Sequence, residues 1–218
     1  MKFRSISKKD YELLLKLDKK VYPTDNPVTS EILSNWYKKN PEFGMIFEND
    51  KGELVGMCIT IPLNKNGWNK LISGKLSEAD LNSKTLFDNS RDKEIGLHIY
   101  HIERLSGKKD FYKDSLNGLN EVIQNLRKVN KELTIIGFSG LCVTPSGIGL
   151  FYNKFNCKER KFVNQEHIFR KEGKLNIFKS NSYSQFSNIL KEGYEYVNMC
   201  KMLVLYPDEF SPVWNYLS

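Results

Sequence analysis

EIGLHIYHIERLSGKKDFYKDSLNGLNEVIQNLRKVNKELTIIGFSGLCVTPSGIGLFYNKF, residues 94–155, reads as strand, glycine turn, helix, strand and helix. Residues 94–105 alternate in the period of a strand, which puts His98 with Tyr100 on one face and His101 with Glu103 on the other. A bulge would change this parity. Phe111, Ser115, Leu116, Leu119, Val122, Ile123 and Leu126 recur at spacings of three and four, which predicts a helix over 111–129. Asp110 stands where its N-cap belongs. Arg104, Ser106, Gly107, Lys108 and Lys109 fall between the strand end and that helix start. There, free backbone N–H groups, the helix dipole and the added positive charge would receive a phosphorylated ligand. Residues 133–143 are apolar, as a strand buried on both faces is, and Gly137 and Gly140 mark a bulge or the close approach of a ligand. Thr144 and Pro145 supply an N-cap and a first helical residue for a second helix carrying Ile148, Phe151, Tyr152 and Phe155.

RLSGKK, residues 104–109, resembles the Arg/Gln-x-x-Gly-x-Gly/Ala pyrophosphate motif of the GNAT acyl-CoA-dependent N-acetyltransferases, with Lys109 where that family has a small residue. VTPSGIGLFYNKFNCKE, residues 143–159, is similar to the family's second signature, Leu-Tyr-x-Lys-x-Gly-Phe; the matching positions are Phe151, Tyr152, Lys154, Asn156 and Cys157. The resemblance covers residues 1–170. It implies an α/β (α+β) fold: a GNAT-like mixed, mostly antiparallel central sheet flanked by helices and splayed between the fourth and fifth strands. It also implies an enzyme, an N-acetyltransferase moving an acetyl group from acetyl-CoA to a primary amine of a small molecule or peptide by direct attack in a ternary complex. Cofactor contacts would then come from Tyr100, His101, Ile102, Arg104, Ser106, Gly107, Lys108, Lys109, Asp110 and Thr144, with residues 100–102 binding through the main chain. Tyr152 would protonate the leaving thiolate. Two other readings stay open: an inactive GNAT fold that binds acyl-CoA or another protein, and a transferase using a longer acyl chain.

The 218 residues suit one domain or one domain with an appendage, and 40 % apolar content without a spanning run excludes a membrane helix. The first residues, MKFRSISKKDYELLL, lack the apolar stretch of a signal peptide. Four scattered cysteines, no C-x-x-C pair and three histidines without ligand spacing point to reduced thiols in a cytoplasm and to no metal. The net charge of +7 is spread along the chain, and Ala79 is the single alanine among many lysines, asparagines and isoleucines. That pattern fits a compositional bias and argues against a nucleic-acid partner, while the positive charge still favours an anionic ligand such as coenzyme A.

Earlier in the chain, 2–6 reads as a strand, and Ser7 to Asp10 has capping-box form ahead of a helix with Tyr11, Leu14, Leu15 and Leu17 on its apolar side. Thr29 or Ser30 caps a second helix with Ile32, Leu33, Trp36 and Tyr37. Tyr22, Asp25 and Trp36 are either acceptor contacts or, respectively, turn residues and core. Residues 43–47 and 54–61 form a hairpin around an Asn49–Gly52 turn, stopped by Pro62. Residues 64–69 read as a turn, 70–75 as a short strand or loop, and 77–80 as a second capping box in a stretch that either sets specificity or is a plain surface excursion. The domain would close with a hairpin of 159–163 and 166–171. Residues 171–174 would be a polar joint, and the extension 171–218 would pack on the domain or on a partner subunit, which would make a homodimer.

The chemistry needs a base and an acid. His101, with an ordinary pKa near 6.5, and Glu103 are the candidates for the base. Each has a structural alternative, as does Tyr152 on its amphipathic helix. Cys142 and Cys157 lack a histidine partner in sequence and do not read as nucleophiles.

Overall fold

The computed structural model describes residues 2–22, 27–106, 110–160, 166–179 and 183–217. The chain runs β1 (Lys2–Ser5), α1 (Lys8–Val21), α2 (Ser30–Tyr37), β2 (Gly44–Glu48), β3 (Leu54–Leu63), α3 (Lys65–Ile72), β4 (Glu94–Arg104), α4 (Phe111–Val129), β5 (Thr134–Cys142) and α5 (Pro145–Asn153). It continues with β6 (Lys158–Arg160), β7 (Glu166–Lys171), β8 (Lys174–Lys179), α6 (Tyr183–Lys191), β9 (Glu195–Met199), β10 (Lys201–Leu205) and α7 (Pro212–Leu217). Seven strands form one sheet in the order β1-β2-β3-β4-β5-β10-β6, and three form a second, β8-β7-β9. In the main sheet β4 and β5 are parallel and the other pairs antiparallel. This is the mixed, mostly antiparallel architecture expected from the sequence.

Helices hold the sheet through aromatic contacts. α4 places Phe111 edge-on against Phe47 of β2, ring centres 5.1 Å apart. α2 buries Trp36 completely and sets it edge-on to Tyr100 of β4, 5.1 Å away. α3 lays Trp68 over β4 and β5. A Cβ on Gly96 or Gly137 would stand 2.2 or 2.1 Å from the indole, so glycine at both positions is what lets the ring in. Gly137 therefore makes room for a side chain of the protein itself, and Gly140 does the same for the Phe151 ring. The expected bulge is also present: the β4–β5 register shifts between Ile95 and Gly96.

Several expectations are corrected. Residues 65–72 are helical: Asn64 accepts from the Gly67 N–H at 2.9 Å as N-cap, and Trp68, Leu71 and Ile72 supply a buried stripe. β3 continues through Pro62, because its pairing with β2 ends at Ile59 and Pro62 has no N–H to give that neighbour. β6 pairs with β10, and β7 with β8 and β9, so β6 and β7 form no hairpin; residues 161–163 of that expectation lie outside the described residues. The stretch 171–174 is the two-residue turn of the β7–β8 hairpin, with positive φ at Glu172 (51°) and Gly173 (75°), as such turns require. The extension, expected to pack on the domain or on a partner subunit, supplies β10 to the main sheet between β5 and β6.

Candidate active site between the parting strands

The parallel pairing of β4 with β5 runs from Glu94 and Thr134 to Ile99 and Gly140. Beyond that point β4 stays paired with β3 as far as Arg104, and β5 stays paired with β10 as far as Cys142. The two strands therefore part, and a cleft opens between Ile99–Glu103 and Leu141–Thr144, enclosing about 650 Å³ with its open mouth. Gly147 and Phe151 of α5 line one wall, and Asp18, Tyr22 and Glu78 extend the lining towards α1 and the 78–80 turn.

A bulge shapes the β4 side. The register with β3 slips between Ile59 and Thr60, which face His101 and Ile99, so Tyr100 is the extra residue. The strict alternation of faces breaks there, and both Tyr100 and His101 line the cleft. His101 is 7 % exposed. Its Nε2 lies 3.6 Å from Glu103 Oε2, outside hydrogen-bond reach. His101 nevertheless holds the Glu103 carboxyl below its ordinary range, against the effect of burial. Burial pushes the Asp18 carboxyl up to about 6; Tyr100 and His101 oppose the rise and the Glu78 carboxylate adds to it.

Glu78 is held from behind. Trp68 Nε1 donates to Ser139 Oγ at 3.0 Å, Ser139 Oγ lies 3.0 Å from His98 Nδ1, and His98 Nε2 lies 2.8 Å from Glu78 Oε1. The Glu78 carboxylate can only accept, so His98 gives it the Nε2–H; in the neutral imidazole Nδ1 then accepts from the Ser139 hydroxyl, which in turn accepts from the indole N–H. Ser139 and His98 are both fully buried. This run of hydrogen bonds carries no reacting nucleophile; it fixes the one carboxylate at its end, which reaches the cleft.

The α5 side follows the sequence. Thr144 Oγ1 accepts from the Gly147 N–H at 3.0 Å with Pro145 behind it, and both Thr144 and Gly147 face the cleft. Asn156 adopts φ 56° in the position of the signature glycine, and the Cys157 N–H returns to the Phe151 carbonyl at 2.9 Å. Tyr152 is not among the described lining residues. Its hydroxyl donates to Glu159 Oε2 at 2.9 Å, and Lys201 Nζ reaches the same oxygen at 2.9 Å. Burial, and then the bond to Glu159, push the Tyr152 phenol up. Cys142 lines the cleft, but burial pushes its thiol up to about 12, which leaves it unreactive.

The stretch expected to hold phosphates is described only at its ends. Gly107, Lys108 and Lys109 lie outside the described residues, as does Asp25. Arg104 and Ser106 are exposed at the end of β4. Asp110 does not cap α4: its φ of 63° is left-handed rather than extended, and its carboxylate pairs with Lys113 at 3.0 Å. Trp36 is core behind Tyr100, whereas Tyr22 reaches the cleft. Sequence reasoning missed Asp18 and Glu78. Asp18 had a signal, since Tyr11, Leu14 and Asp18 share one helical face and all three are buried. Glu78 had none, because it sits inside the Ser77–Asp80 capping box that accounts for its neighbours. Among the described residues no group of three or more His, Cys, Asp or Glu side chains could hold a metal ion, and no helix is long and apolar enough to cross a membrane.

No protein-family model and no curated relative matches the sequence. Solved structures are similar at low identity. NAA60 of Arabidopsis thaliana in complex with acetyl-CoA is 14 % identical, with 94 % of this chain and 98 % of that one covered at a TM-score of 0.49. Arabidopsis thaliana Naa50 in complex with the bisubstrate analogue CoA-Ac-MVNAL is 11 % identical, with 94 % and 97 % covered at 0.46. Ard1 from Thermoplasma volcanium is 11 % identical, with 95 % and 98 % covered at 0.43.

Proposed function

We propose that the chain is an acyl-CoA-dependent N-acetyltransferase of GNAT type that moves an acetyl group from acetyl-CoA to a primary amine. The observation that carries this reading is the parting of β4 and β5 beyond Ile99 and Gly140. It leaves strand main chain facing a cleft lined by apolar side chains and by the carboxylates of Asp18, Glu78 and Glu103. On this reading, main-chain groups of 100–102 pair with the amides of the pantetheine arm, and a strand N–H polarises the thioester carbonyl. Ile99, Ile102, Leu141, Val143 and Phe151 keep water from the thioester. Arg104, Ser106 and the start of α4, with Lys108 and Lys109, hold the phosphates. His101, backed by Glu103, takes the proton of the attacking amine. The four buried, free cysteines suit a reducing cytoplasm.

Calorimetric titration of the folded protein with acetyl-CoA and with free CoA tests the reading. Saturable binding of both is expected, followed by amine-dependent release of thiol. A folded protein that binds neither rules the proposal out. The position of Tyr152 favours a second reading, an acyl-CoA-binding protein without turnover, because the acid implied by the resemblance is turned to Glu159 and Lys201. Binding without thiol release for any amine would select it.

A further inference from the structure

The cleft has the opposite charge to the chain around it. The protein carries +7, yet the described residues of the cleft include three carboxylates, Asp18, Glu78 and Glu103, and no lysine or arginine. Asp18 and Glu78 are only 6 % and 9 % exposed. Keeping two carboxylates in such a place is costly unless a positive group meets them. Glu78 has one oxygen engaged by His98 and the other free of that bond.

A second observation is independent of the carboxylates. His101 is more than nine-tenths buried and lines the same cleft, and its Nε2 meets no hydrogen-bond partner. A neutral imidazole keeps one ring nitrogen as an acceptor. The cleft lining therefore offers two groups of acceptors, Asp18 with Glu78 and His101 with Glu103. An ammonium group supplies three donors and no acceptor.

We infer that the acceptor is a diamine, one nitrogen reacting beside His101 and Glu103 and the second, as an ammonium, held by Asp18 and Glu78. This rests on the acetyl-transfer reading and narrows its substrate class. In the step, the N–C bond forms and the thioester C–S bond breaks. The reacting ammonium gives up two protons in becoming an amide, the first of them to His101. The CoA thiolate takes up one, and one is released to water. The second ammonium stays charged throughout and serves only to position the substrate.

The test compares putrescine with butylamine as acceptors for the full-length protein with acetyl-CoA, read as thiol release. Putrescine should have the higher kcat/KM by about tenfold or more, mostly through KM. In Glu78→Gln and in Asp18→Asn that ratio should fall towards one. Both changes are isosteric, and in Glu78→Gln the new amide oxygen can still accept from His98. Equal use of the two amines, or a ratio that survives both substitutions, overturns the inference. Direct calorimetry with putrescine alone separates this from failure of the parent reading. If acetyl-CoA does not bind but putrescine does, and Glu78→Gln abolishes that binding, the cation site stands without the transferase. If acetyl-CoA binds and is used with butylamine while putrescine has no advantage, the transferase stands and the cation site falls.

Discussion

Asp18 is a carboxylate on the buried face of α1, and its position has a consequence for stability. Its carboxyl ordinarily titrates near 3.8 and is pushed up to about 6 in the fold. The folded chain therefore binds this proton more tightly than the unfolded chain, and stability is lost as pH rises from about 4 to about 6. Asp18→Asn should be the more stable protein above that window, by an amount approaching about 3 kcal/mol. The gap should close as pH falls to 4. Melting temperatures of the two proteins across that range would show it, and parallel curves would refute it. At Tyr152 the competing claims are the leaving thiolate and Glu159. If the hydroxyl protonates the thiolate, Tyr152→Phe should lower kcat by about tenfold or more, with little change in acetyl-CoA affinity. Equal turnover would assign that proton to water and the tyrosine to its Glu159–Lys201 cluster. The residue types are plain in the sequence; the directions of their side chains are not. His101 and Glu103 could be named because strand periodicity is local. The bulge at Tyr100 that brings both neighbours into the cleft depends on the register with β3, which no run of residues displays.

At the scale of elements, α3 has an influence out of proportion to its eight residues. Trp68 holds β4 and β5 together through the space left by Gly96 and Gly137, and it starts the hydrogen-bond chain that ends at Glu78. Ser139 is the middle of that chain. Ser139→Ala would leave the indole N–H and His98 Nδ1 buried without partners, at a cost of about 1–3 kcal/mol for each group left unsatisfied. Chemical denaturation should register the loss, and transfer to a diamine should weaken with it, since Glu78 is no longer fixed. Unchanged stability would mean that water satisfies both groups. The sequence hid α3 behind asparagines, lysines and Gly67, residues that also make turns, and eight residues hold too few turns for a period to show. α4 and α5 were legible for the opposite reason: α4 is long and strongly two-faced, and Thr144-Pro145 is an unambiguous start. Asp110 looked like an equally good start, but it adopts a left-handed backbone and its side chain makes no capping hydrogen bond.

For the whole molecule, what could be read were the segments, and what could not was the order in which they meet. Residues 94–155 announced strand, helix, strand and helix because each carries its own period. That β10, from beyond residue 200, enters between β5 and β6 is a property of pairing between segments far apart in the chain, and an apolar run of five residues gives no sign of its neighbours. A chain truncated after residue 170 should therefore fail to fold, because Met202, Leu203, Val204 and Leu205 are all buried in the core. Circular dichroism and solubility of that fragment would check this; a soluble, cooperatively melting fragment would restore the boundary at 170. The same placement bears on the chain's synthesis. Until residue 205 has left the ribosome, β5 and β6 have no strand between them, and both show bare edges with unpaired amides. Bare edges of this kind recruit other chains. The small sheet of β7, β8 and β9 is made during this interval, so the newborn protein completes its second sheet while the first still lacks a strand. The arrival of β10 then decides when the main sheet becomes safe from aggregation.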